Sequence, residues 1–69
     1  MIIIDTNRPE GNAFAIIAAA RRVAREIDDI DAHALVDELH GCATYAQLLD
    51  TIEARMPACF VFLNDPRRE

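Results

Sequence analysis

The sequence predicts a small α+β domain of order β-α-α-α-β, with three helices packed on a two-stranded sheet. Three observations predict it. Ile2-Ile3-Ile4 is an uninterrupted β-branched run, the middle of the chain repeats apolar residues at helical spacing, and Cys59 to Leu63 is a second apolar run. With 69 residues the chain is expected to be a single domain over 1–69. A chain of this size buries only about 60% of the surface its unfolded form exposes, so a disulfide, a metal or a partner is the usual source of extra stability.

The first strand is expected over Met1 to Asp5. Arg8-Pro9-Glu10-Gly11 then has Pro and Gly where a type I turn wants them. Asn12 is an N-cap for a helix from Ala13 to Ile27. On that helix Ala13, Ile16, Ile17, Ala20, Val23, Ala24 and Ile27 share one face, while Arg21, Arg22, Arg25 and Glu26 take the other. Arg22 and Glu26 are one turn apart and are expected to pair. Asp28 to Asp31 reads as a tight connection in which Asp29 or Asp31 caps the next helix, Ala32 to His40. Its stripe is Ala32, Leu35, Val36 and Leu39, and Gly41 is placed to end it in a left-handed turn.

Thr44 and Gln47 form a capping-box signature for the third helix. There Tyr45, Leu48, Leu49, Ile52 and Met56 recur at helical spacing, and Pro57 stops the run. The second strand is expected over Ala58 to Leu63, followed by a polar C-terminal tail over 64–69. Along it Phe60 and Phe62 point one way and Cys59, Val61 and Leu63 the other. Both faces of both strands are therefore apolar. Three small helices cover one face of such a ribbon, which points to pairing with a second copy across a sheet edge or face.

Charge is divided along the chain. Eight carboxylates (Glu26, Asp28, Asp29, Asp31, Asp37, Glu38, Asp50 and Glu53) lie between Glu26 and Glu53 with no Lys or Arg among them. The net charge of −5 argues against direct binding to nucleic acid or an anionic membrane. No segment reaches the roughly 18 apolar residues of a membrane span, and the first residues lack a basic leader region. A cytoplasmic location is expected, with Cys42 and Cys59 reduced and partly buried.

Residues with chemical potential are few. His33, Asp37 and His40 share a helical face, and Cys42 follows, but neither C-x-x-C nor H-E-x-x-H is present. A solvated helix face accounts for them better than a metal centre. Cys42 with His40 lacks a nameable third residue or oxyanion element, so a small buried hydrophobe is the better reading of the cysteine. Asp28-Asp29-Ile30-Asp31 lacks the glycine and distal glutamate of a calcium loop. No enzyme activity and no cofactor are expected.

Gly11-Asn12-Ala13-Phe14-Ala15-Ile16, preceded by a brief apolar strand, resembles a group of short phage, prophage and plasmid proteins of unknown function. These carry the same Gly-Asn-Ala-Phe-Ala-Ile run and often a Tyr and two leucines spaced as Tyr45, Leu48 and Leu49. Between Gly41 and Tyr45 the chain departs from them, with Cys42-Ala43-Thr44 where they tend to have a Ser-Gly-Asp turn. The resemblance implies a bacterial mobile-element protein.

Together these features lead to a non-enzymatic protein-interaction module. One form is an acidic inhibitor of a host defence or nucleic-acid-handling complex, anti-CRISPR-like, presenting Asp28, Asp29, Asp31, Asp37, Glu38, Asp50 and Glu53 to a basic groove. The alternative is a homodimeric regulator or adaptor that self-associates through its strands, with Arg21, Arg22 and Arg25 meeting the partner.

Overall fold

In the computed structural model, which describes residues 1–27 and 29–68, the chain has the expected β-α-α-α-β order in one small α+β domain. Strand β1 (Ile2–Asp5) is followed by a 3-10 turn at Pro9–Gly11 and helix α1 (Ala13–Glu26). Helices α2 (Ala32–His40) and α3 (Tyr45–Arg55) come next, and β2 (Phe60–Leu63) closes the order.

Local chemistry accounts for the helix boundaries. The Asn12 side chain accepts from the Ala15 N–H at 2.8 Å and starts α1. Asp31, rather than Asp29, caps α2, accepting from the N–H groups of His33 and Ala34 at 3.0 and 3.1 Å. Thr44 accepts from the Gln47 N–H at 3.0 Å, and the Gln47 side chain reaches back to the Ala43 N–H at 2.9 Å. The reciprocal bond of the capping box is thus displaced by one residue.

Three boundary expectations are corrected. Ile27 caps α1 in extended conformation instead of continuing it. Gly41 ends α2 in the right-handed region, at φ −80° and ψ −6°, with its N–H shared among the carbonyls of Asp37, Glu38 and Leu39. No left-handed turn is required there. Strand β2 begins at Phe60, because Ala58 itself takes the left-handed conformation (φ 63°), as does Asn64 (φ 55°) after the strand.

The two strands run parallel, with Ile2 opposite Phe60, Ile3 opposite Val61, Ile4 opposite Phe62 and Asp5 opposite Leu63. Three helices carry the chain back to the end from which it started, so the first and last elements lie side by side. The Ile2 N–H donates to the Cys59 carbonyl at 2.9 Å, and the Thr6 N–H to that of Leu63 at 3.0 Å. Asn64 Nδ2 donates to Asp5 Oδ1 at 2.9 Å, which closes the far end of the ladder.

The core fills the space between one sheet face and the helices. Ile4, Phe60 and Phe62 meet Ile16, Ile17, Ala20 and Ala24 of α1, Leu35 and Leu39 of α2, and Leu48, Leu49 and Ile52 of α3. Met56, just after α3, is buried with them. Each fully buried aliphatic side chain contributes about 1.5–3 kcal/mol relative to exposure. The Phe60 and Phe62 rings stack in parallel, 5.9 Å between centroids.

Candidate functional site

The strands place two kinds of surface on the side away from the helices. The first is an apolar face. Alternation in β1 and β2 sends Ile4, Phe60 and Phe62 inward and leaves Ile3, Val61 and Leu63 outward, at 60%, 38% and 45% exposure. Ile3 and Val61 are direct neighbours in the register, and Met1 is exposed beside them. Parallel sheets are ordinarily covered on both faces, so an open apolar face on one is unusual.

The second surface is the rim of the sheet, whose two sides differ. In a parallel ladder alternate residues turn their backbone groups toward the neighbour, and the rest face outward. On the β1 side the outward residues are Ile3 and Asp5. The Asp5 N–H donates to Glu10 Oε2 at 2.9 Å, and the Asp5 carbonyl accepts from the Arg8 N–H at 3.1 Å. The 3-10 turn therefore closes that end of the β1 rim. On the β2 side Phe60 and Phe62 face outward, and no described residue bonds their N–H or C=O groups.

The charged surface is arranged differently from its order in the sequence. Glu38 is held by Arg55 in a fork of 2.9 and 2.8 Å, and this guanidinium keeps the Glu38 carboxyl below its ordinary value. Asp50 and Glu53 both meet Arg67 Nη1, at 2.6 and 2.7 Å. Arg67 in turn binds Asp65 through Nε and Nη2, and its guanidinium lies 5.9 Å from the centre of the Phe62 ring. Residues of the polar tail thus fold back on α3, with Asp65 buried among them.

Among the expected acidic contacts, Glu38 is paired one to one with Arg55, whereas Asp50 and Glu53 share the single charge of Arg67 with Asp65. Asp29, Asp31 and Asp37 are exposed, Asp31 being occupied as a cap, and Asp28 lies outside the described residues. Asp29, Asp31 and Glu38 border a surface groove of about 480 Å³ between α2 and α3, which Arg55 also lines. Arg21, Arg22 and Arg25 are exposed and take part in none of the ion pairs among the described residues; the expected Arg22–Glu26 pair does not form.

The residues with chemical potential are dispersed. His33 and Asp37 approach to 3.8 Å on an exposed face of α2. The Cys42 thiol lies 3.6 Å from both the Glu38 carbonyl and the Thr51 hydroxyl, and both cysteines are free and half-buried. Among the described residues no group of three or more His, Cys, Asp or Glu side chains is arranged to hold a metal ion. Among the described residues no helix is long and apolar enough to cross a membrane.

Within the Gly-Asn-Ala-Phe-Ala-Ile run most residues have structural work. Gly11 packs against the β1 end, Asn12 caps α1 and Ile16 is buried. Phe14 is the exception, 78% exposed beside a groove of about 320 Å³ lined also by Ile17, Leu39, His40, Cys42 and Leu48. Sequence reasoning did not separate Phe14 from its neighbours, although its absence from the α1 apolar stripe was a usable sign. The unequal rims of the sheet had no sequence signal, since strand direction decides them. No protein-family model matches the chain, and neither curated proteins nor solved structures show a significant similarity to it.

Proposed function

We propose that the chain is a non-enzymatic protein-interaction module that works through the open side of its sheet and associates with a second copy of itself. The observation that carries this reading is the outward row Ile3, Val61 and Leu63 on a parallel sheet covered from one side only. An uncovered apolar sheet favours association, and two-fold dimers are the commonest oligomers. Sedimentation across the micromolar range tests it. The mass is expected to rise from the 7.7 kDa of one chain toward twice that value. A constant single-chain mass at several hundred micromolar would sink the reading.

A second reading keeps the acidic surface as the contact, in a mobile-element inhibitor of a basic, nucleic-acid-handling complex. Its support is the α2–α3 groove, where the exposed carboxylates of Asp29 and Asp31 border a space that a partner's cationic side chain can enter. Because Glu38 is already paired, the variant that tests it changes Asp29, Asp31 and Asp37 to Asn. Asn is as good an N-cap as Asp, so α2 is expected to survive the change at position 31. In a pull-down from bacterial lysate, the parent is expected to recover a basic complex that the Asn variant loses. Equal recovery by both would exclude these carboxylates as the contact.

A further inference from the structure

Along the outer rim of β2 the N–H and C=O of Phe60 and of Phe62 are bonded by no described residue, although both side chains are buried in the core. Natural sheet edges are usually guarded by a charge, a proline or a bulge within the strand. Here Phe60, Val61, Phe62 and Leu63 are all uncharged, and Pro57 and Pro66 fall outside the strand. The β1 rim is different, because Glu10 and Arg8 occupy both backbone groups of Asp5.

We propose that the β2 rim pairs antiparallel with the β2 rim of a second copy, with Val61 on the two-fold axis. The proposal rests on the self-association reading and places the contact along the sheet edge, where it joins the outward rows of the two copies into one apolar surface. In this register Phe60 lies opposite Phe62 of the second copy, and Phe62 opposite its Phe60. Both are hydrogen-bonded pairs, so the four free groups of each copy find partners in one step. Val61 faces Val61, and Cys59 faces Leu63 of the second copy, so only apolar side chains meet on the outer face. On the inner face the stacked Phe60–Phe62 pair continues into its counterpart.

A second copy suits this rim better than an unrelated strand does, because an antiparallel two-fold uses one self-complementary edge on each side. Each outer rim of the resulting four-stranded sheet is β1, where the 3-10 turn occupies the Asp5 backbone groups and leaves only those of Ile3 open.

Amide hydrogen exchange of the natural chain, read residue by residue by NMR, tests the contact directly. The Phe60 and Phe62 amides are expected to become at least roughly tenfold more protected at concentrations where the chain sediments as a dimer than at dilution. Val61→Lys and Val61→Glu put like charges face to face across the axis, and each is expected to sediment as a folded monomer. Mixing the two variants is expected to restore the dimer. A dimer whose Phe60 and Phe62 amides exchange as fast as in the monomer would overturn the edge contact while leaving self-association standing. A monomer at every concentration would overturn both. Should the Val61 variants fail to fold, exchange in the natural chain decides alone.

Discussion

Gly11→Ala is expected to destabilise the fold by about 3 kcal/mol, a large share of the stability of so small a domain. An added Cβ would sit 2.5 Å from Thr6 Cα, 2.7 Å from the Asp5 carbonyl oxygen and 2.9 Å from the Thr6 carbonyl carbon. All three are backbone atoms, so no rotamer change relieves the overlap. The 3-10 turn must then move away from β1. That movement strains the Asp5–Glu10 and Arg8–Asp5 bonds and the bond by which the Tyr45 hydroxyl donates to the Gly11 carbonyl. Urea unfolding followed by circular dichroism measures the effect. Gly41→Ala is the control. Gly41 is right-handed, and a Cβ there meets the Glu38 carbonyl oxygen at 3.4 Å, an ordinary contact. That change is expected to be neutral or to stabilise by about 0.5 kcal/mol. A cost below 1 kcal/mol at Gly11 would show that the turn yields without loss of the fold.

Arg67→Ala is expected to cost about 3 kcal/mol at neutral pH, because it strands a buried carboxylate. The Asp65 side chain is 4% exposed and that of Arg67 14%, so water replaces little of the lost contact. Arg68 Nε, at 3.7 Å from Asp65, is a poor substitute. The same node sets an acid response. Hydrogen bonds from Arg67 hold the Asp65 carboxyl at about 2, against an ordinary 3.8. A folded value below the unfolded one means that the stabilisation is complete above about pH 4 and is lost as pH falls toward 2. The amount is about 2 kcal/mol. Asp5 and Glu38 are shifted in the same direction, Asp5 chiefly by Asn64 and Glu38 by Arg55, and act with the same sign. Urea midpoints at pH 7, 4 and 2.5 therefore separate the contributions, since the Arg67→Ala chain keeps the Asp5 and Glu38 terms and loses that of Asp65. An identical acid dependence in both chains would remove Arg67 as the cause.

The helices were legible because their signals are local. Asn12, Asp31 and Thr44 each cap the helix that begins one residue later, and the stripes Ile16, Ile17, Ala20, Ala24 and Leu48, Leu49, Ile52 are buried as their spacing implies. The same locality misled at Gly41, where glycine suggested a left-handed turn that the α2–α3 connection does not need. The candidate surfaces were legible only in part. Alternation in β2 announced an outward apolar row, and the structure places Val61 and Leu63 there. The count of carboxylates did not show how they are held, since Asp50 and Glu53 share an arginine beyond β2 with Asp65, and Glu38 pairs with one on α3.

What the sequence determined by itself is thus the set of elements and the side of each helix that faces the core, with the caps of α1 and α3. Those depend on hydrogen bonds within four residues and on periods of two and 3.6. The tertiary structure alone decided that β1 and β2 run parallel, that Gly11 touches the backbone of Thr6, and that Arg67 gathers three carboxylates. The strand pairing joins residues nearly sixty positions apart and the Arg67 node reaches back to α3, while the Gly11 contact is a close approach of two neighbouring turns that residue type alone does not reveal. Folding of three helices between the strands brings β1 beside β2, and no local period encodes that arrangement.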